Sequence, residues 1–301
     1  MRPFTYTLTA LFVCGSGCQF NQTVDLSSID KDAAQADADP TAEDASSALA
    51  DADPAAPDAM PPPQLVDRGL VIRYFMDEAA SGTGPSDLVD SAPSPLALPI
   101  SYGQASYVEE GGNKGLRWPS VSGNGVAQRS LSGTKILNGL TASDAVTIEV
   151  VIDIDDAGGD GQNAQIAGLR GGNPDFMLKA QGNSGFRFFR PYGPLGALWE
   201  NVHSQERMVL HLVYNANDPT PDNRIRLYKD GVLAPKTTSS PPQPGDNPGL
   251  GGGDFLVIGN GQSSPTDSIL GTIYYVAMYK EALNLTEITN NHARLIVNDD
   301  Q

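Results

Sequence analysis

"RIRLYKDGVL", residues 224–233, places Ile225 and Leu227 in alternation with Arg224 and Arg226 and then presents Asp230-Gly231. A period of two puts the apolar side chains on one face of an extended strand and the cations on the other. Asp-Gly supplies two residues that tolerate positive φ, as the tight turn of a hairpin requires. The stretch therefore predicts two antiparallel strands joined by a short turn. Runs of the same kind surround it: "GLVIRYFM" (69–76), "KGLRWP" (114–119), "DAVTIEVVIDI" (144–154), "AQIAGLR" (164–170), "DFMLKA" (175–180), "GFRFFR" (185–190), "RMVLHLVYN" (207–215), "DFLVIGNG" (254–261) and "LGTIYYVAMY" (270–279). Clusters of Gly, Pro, Asn and Asp separate them, and helical periodicity is nearly absent. Many short β-rich runs at this spacing predict an all-β fold, an antiparallel two-sheet sandwich or barrel. One short helix is expected near the C-terminal end, where Asn284 can cap the first turn and Glu287 can return the hydrogen bond.

The β-rich composition holds over residues 67–301 without a second linker, which predicts one large domain. A sandwich of this size removes most of its chain surface from water, at about 25 cal/mol per Å² of apolar area, and needs no disulfide. The only two cysteines, Cys14 and Cys18, lie in "LFVCGSGCQF", residues 11–20. Arg2, the apolar run from Phe4 to Val13 and the small residues Gly15-Ser16-Gly17 give residues 1–17 the layout of an export signal, too short to span a membrane. A Cys14–Cys18 disulfide would close too small a loop to stabilise anything. Small residues before a cysteine resemble the lipobox of bacterial lipoproteins, although Gly15 stands where that pattern prefers Leu. The resemblance implies cleavage before Cys18, lipidation of its thiol, and anchoring at the bacterial cell envelope, at the outer membrane or cell surface. An ordinary cleaved secretion signal is the alternative.

Residues 18–66 hold ten acids against one lysine and are otherwise mostly Ala, Pro and Ser. Pro40, Pro54, Pro57 and Pro61 to Pro63 interrupt every run that Ala would favour as helix. The segment is expected to be an extended, self-repelling, solvated tether, with an acidic tract for calcium or a cationic partner as the alternative. Much of the formal charge of −17 arises here, so the sequence pI of 4.4 says little about the folded part. It does argue against nucleic acid as a partner.

The order of runs resembles a family. "GLVIRYFMDEAASG", "DSA", "GLRW", "AVTIEVVIDI", "FLVIGNG" and "GTIYYVAMYKEALNLTEI" are similar to the laminin-G-like domains of bacterial exported proteins, within the concanavalin A-like lectin and glucanase superfamily. The likeness runs from about Gly69 to His292, and its most specific part is the closing "IGN" strand, Gly271, the strand ending at Tyr279, and "ALN" before the helix. Val151 and Arg207 stand where family members usually carry Trp. The resemblance implies a jelly-roll sandwich and no particular activity, since the fold hosts lectins, adhesion modules and glycanases alike.

Function must come from sites. A glycosidase needs two carboxylates facing one groove. In "IEVVIDIDD" the spacing puts Glu149, Asp153 and Asp155 on one face of a strand, although Val151 interrupts the alternation of acids that glucanases show. Acids at a solvent-facing strand end are the simpler reading. No nucleophile elbow, H-E-x-x-H or phosphate loop is present. Of the three histidines, His203, His211 and His292, only His211 sits in an apolar strand, where a hydrogen-bonded structural role is expected. For sugar recognition, "GFRFFRPYGPLGALWENVH" concentrates aromatics with Arg187 and Arg190. Alternation makes Phe186 and Phe188 core and leaves Tyr192 and Trp199 on a following loop as candidate ligand contacts. The long segment 237–253 carries no aromatic and is expected to be a functional loop or a mobile insertion.

The family resemblance also implies a rim calcium ion, with Asp77, Asp87 and Asp90 as candidate ligands in the "MDEAASG" and "VDSA" segments. "APSPLAL" replaces the family's Gly- and Asn-rich turn after Asp90, and Asp155, Asp156 and Asp160 form a rival group. The reading as a whole is a surface-anchored, non-catalytic module that binds a glycan or a surface protein. The alternatives are a structural envelope component and, less favoured, a glycan-cleaving enzyme.

Overall fold

The computed structural model describes residues 64–300 apart from 83, 85, 102–104, 120–124, 157–163, 172–174, 182–184, 191–192 and 261–267. All belong to the second of the two units into which the chain divides, Ala59–Gln301. The expected signal, Cys18 and most of the expected tether lie outside the described residues.

The described strands are, in chain order, β1 (Leu70–Phe75), β2 (Asp87–Leu88), β3 (Leu98–Ser101), β4 (Ser106–Glu110), β5 (Asn113–Trp118), β6 (Val126–Ser130), β7 (Ala145–Asp156), β8 (Ala164–Arg170) and β9 (Phe176–Gln181). They continue with β10 (Gly185–Arg190), β11 (Gly193–Trp199), β12 (Met208–Asn215), β13 (Ile225–Lys229), β14 (Val232–Leu233), β15 (Thr238–Ser239), β16 (Phe255–Ile258) and β17 (Leu270–Tyr279). Among the described residues they form two antiparallel sheets. The first runs β14-β13-β12-β7-β17-β5-β4, with β1 also paired to β17, and the second runs β15-β11-β10-β9-β8-β16-β6-β3-β2. This is the expected all-β, two-sheet sandwich.

Alternation fills the space between the sheets. Ile148, Val150 and Ile152 of β7 and Leu210, Leu212 and Tyr214 of β12 meet Phe176, Leu178, Phe186 and Phe188 of the second sheet. Phe176 packs edge-on against Phe188 and Tyr214, at centroid distances of 4.8 and 5.2 Å. The β13–β14 hairpin turns at Asp230 (φ 51°) and Gly231 (φ 75°), as the sequence predicts. The Asp230 carboxylate also accepts the Val209 N–H at 2.9 Å, tying the turn to β12.

Two α-helices are described where the sequence suggests one short helix. The first, α1 (Lys135–Leu140), is too short to show a period, although Thr134 caps it by accepting the Leu137 N–H. The second, α2 (Leu285–Leu295), has the expected capping box between Asn284 and Glu287. It lies on the outer face of the first sheet, where Leu283, Ile288 and Leu295 join Val151, Val209, Val213, Tyr275, Ala277 and Tyr279 in a second apolar layer. Val151 thus fits under the helix. Arg207 donates to the carbonyls of Leu295 (2.8 Å) and Ile296 (3.2 Å) at the helix C-terminus and pairs with Asp299 at 2.6 Å.

Segment 237–253 is pinned along its length rather than a free insertion. Arg190 Nε donates to the Ser240 carbonyl (3.1 Å), Arg224 Nη1 to Pro242 (2.7 Å), and the Tyr214 hydroxyl to Asp246 (3.2 Å). Cations and a phenol thereby satisfy the carbonyls of a chain too rich in Pro and Gly to satisfy its own.

The "IGN" signature has a steric cause. Gly259 has φ 70°, and a Cβ there would lie 2.3 Å from the Trp118 ring. Gly259→Ala is therefore expected to destabilise the domain by about 2 kcal/mol or more in urea unfolding; an unchanged midpoint would refute this close-packing account.

Candidate functional site

Glu149, Asp153 and Asp155 share the outer face of the first sheet, as their spacing predicts, yet their surroundings differ completely. Glu149 is fully buried beneath α2. Its Oε2 accepts the hydroxyls of Tyr275 (3.0 Å) and Tyr279 (2.9 Å), and its Oε1 accepts Asn291 Nδ2 (2.8 Å). His211, its register partner on β12, brings Nε2 to 2.7 Å from Oε1, though not aligned on it as a hydrogen bond. The groups around this cluster reach Val66 and Asp67, just before β1. Arg73 donates to the Tyr275 hydroxyl (3.1 Å), the Val66 carbonyl (2.7 Å) and Asp67 (2.8 Å), while Asn291 Oδ1 accepts the Val66 N–H (2.9 Å).

Burial alone would push the Glu149 carboxyl up; contacts from His211, Asn291 and Tyr279 outweigh it and hold the group below its ordinary value. Burial, and then the Glu149 charge, push the Tyr275 and Tyr279 phenols up, so both remain donors. Glu149 is therefore not at a solvent-facing strand end, because alternation delivers it to the face that α2 covers. His211 is fully buried, but it meets Glu149 in a close contact rather than in the hydrogen bond that its place in an apolar strand suggests.

Asp155 is exposed and pairs with Arg117. Arg117 also lies 3.5 Å from Glu110 and donates to Thr272 at 3.2 Å, while Glu110 accepts the Tyr274 hydroxyl at 2.8 Å. Half-buried Asp153 stands opposite Thr272. Burial, followed by the charges of Asp155 and Glu110, pushes its carboxyl up. Glu110 had no signal in sequence, because it reaches this group only through the β4-β5-β17-β7 pairing.

Among the described residues no three His, Cys, Asp or Glu side chains are grouped so as to hold a metal ion. Asp77, Asp87 and Asp90 are not brought together as the resemblance implied. Asp87 is exposed on β2, whereas Asp90 is buried and its carboxylate accepts the N–H groups of Arg73 and Ala92 (both 2.9 Å) and Leu96 (3.1 Å). In the rival group Asp155 is taken by Arg117, and Asp160 and the Asp156 side chain lie outside the described residues.

Trp199 is not on a loop. It lies on β11 opposite Phe186, fully buried in the core, so it has no face to offer a ligand. Tyr192 lies outside the described residues. Phe189, next to core Phe188, instead points to the outer face of the second sheet, with the Lys179 ammonium 4.6 Å from its ring centroid. Arg187 and Lys179 are cross-strand neighbours on this face, and Arg187, Phe189 and Gln181 are partly exposed. The row beyond is filled, since Met177 and Val257 are fully buried.

Acid should loosen the α2 layer through His292. Burial, with help from His211, lowers its pKa against the opposing pull of Asp230. The unfolded chain then binds a proton that the folded one resists, so stability present above about pH 6.5, the ordinary histidine value, falls as pH drops below it. Urea midpoints measured from pH 7.5 to 5.5 should decline, and more steeply than in His292→Gln. Parallel curves for the two proteins would contradict this.

Comparison with known proteins places the fold. No curated protein matches the chain. Among solved structures it is similar to Trypanosoma rangeli sialidase in complex with 2,3-difluorosialic acid, at 19% identity and a TM-score of 0.51, over 76% of this chain and 33% of that one. The chain thus spans about a third of the length of that sialidase. It is also similar to the binding domain of botulinum neurotoxin serotype D/C VPI 5993, at 10% identity and a TM-score of 0.53, over 75% of this chain and 52% of that one. At such identities the likeness is one of fold, a β-sandwich. The Laminin_G_3 family model, described as the concanavalin A-like lectin/glucanases superfamily, matches residues 122–289. That match covers more than half of the sequence, and the chain belongs to this family.

Proposed function

We propose that this chain is an exported, surface-anchored, non-catalytic module that binds a carbohydrate or another cell-surface ligand. The observation that carries the reading is the fate of its acids. Glu149 is spent on four buried partners, and Asp155 and Glu110 share Arg117. Among the described residues this leaves no second free carboxylate to work with Asp153, whereas hydrolysis at a glycosidic bond needs a cooperating pair. The ledge of Arg187, Phe189 and Gln181, where Arg187 Nε donates to Gln181 and both side chains stay partly exposed, offers what sugar recognition uses, an aromatic ring beside charged and amide hydrogen-bonding groups. Family membership supports a carbohydrate as the ligand class, and the lipobox-like segment ending at Cys18 supports the anchor.

A hydrolase is the second reading, favoured by one feature: a carboxyl pushed up beside two others is how acid–base pairs are built. A glycan array probed with the purified chain, followed by assays for released reducing ends, separates the two. The binding reading expects retention on a restricted set of glycans, weakened about tenfold or more in Arg187→Ala or Phe189→Ala, with no cleavage. Cleavage that disappears in Asp153→Asn would replace it with the hydrolase.

A further inference from the structure

The rim loop after the first strand is organised around a cation that the chain itself supplies. Lys135 Nζ lies 2.6 Å from Asp90 Oδ2 and donates to the Pro93 carbonyl at 2.7 Å. The Asp90 side chain is wholly buried and that of Lys135 is 20% exposed, so the contact is shielded from water. The remaining capacity of the carboxylate is taken by backbone N–H groups: Arg73 and Ala92 on Oδ1, Leu96 on Oδ2. One side chain therefore joins β1, the 91–97 loop and α1.

Lys135 is badly placed for any purpose of its own helix. It opens α1, which has no acid in its first turn, and a cation there opposes the helix dipole. The loop is also strained toward this arrangement. Ser94 holds φ 59°, a left-handed conformation uncommon outside glycine, and the carbonyl just before it is the one that meets the ammonium.

A calcium ion does not fit this place. It takes six to eight oxygens, whereas among the described residues Asp90 Oδ2 and the Pro93 carbonyl are the oxygens that converge on Nζ, and the N–H groups around Asp90 present positive ends. We infer that the Lys135 ammonium is the resident cation of this rim, standing where the family resemblance would put calcium, and that the rim keeps its shape without a divalent ion. Resting on the binding role proposed above, ligand capture then needs no calcium at this rim.

Thermal melting of the full chain tests this without any ligand, so its failure is distinct from failure of the binding reading. The chain, Lys135→Met, Asp90→Asn and the double variant are melted in excess chelator and in millimolar calcium. The parent midpoint should be the same in both buffers. Lys135→Met should melt about 5 °C lower in both, since removing one partner strands a buried charge, and the double variant should lose less than the two single losses added. A parent midpoint that rises with calcium overturns the inference, and so does a Lys135→Met midpoint equal to the parent's. If Asp90→Asn does not fold, the parent and Lys135→Met melts decide alone.

Discussion

The Glu149 carboxylate sits, fully buried, on what would otherwise be the outside of a two-layer sandwich. A charge there is costly unless it is surrounded by donors. The donors are Tyr275 and Tyr279 on β17 and Asn291 on α2, and His211 on β12 adds a close contact. Asn291 and Arg73 then grip Val66, where the described chain enters the domain. The requirement to satisfy one carboxylate thus fixes where the helix lies and how the chain approaches β1. Replacing the whole group by apolar residues need not weaken the fold. Removing one partner would cost about 3–5 kcal/mol, because the charge would stay behind.

The same economy recurs wherever the domain buries charge. Asp90 closes the rim loop with Lys135, Arg207 closes the end of α2 with Asp299, and Arg190 and Arg224 hold the Pro-rich segment by its carbonyls. Ionic groups in this sandwich are largely fasteners. That is why the proposed function rests on the partly exposed ledge of Arg187, Phe189 and Gln181 rather than on the acids that first draw the eye. Asp153 is the exception, a half-buried carboxyl with raised pKa beside an Arg117 that is already shared by Asp155 and Glu110.

Local chemistry was legible in the sequence, and long-range placement was not. The Asp230-Gly231 turn, the Asn284–Glu287 box and the inward faces of "GFRFFR" each follow from residues within a few positions of one another. Alternation puts Glu149 on the outer face of β7, but nothing nearby announces that a helix some 142 residues away covers it. "GPLGALW" reads as loop through its glycines and proline, whereas pairing with β10 makes it strand and buries Trp199. The acids after β1 resembled metal ligands because the pairing of Asp90 with a lysine 45 positions downstream has no local signature.

Native-state hydrogen exchange at the Val66 amide is the most direct test of the Glu149 account, since that N–H is bound to Asn291, which in turn holds Glu149. If the buried carboxylate joins the entering chain, α2 and the sheet into one cooperative unit, Val66 should exchange only with global unfolding, at the same free energy as the central amides of β17. Exchange of Val66 through a much cheaper local opening, with β17 still protected, would contradict it.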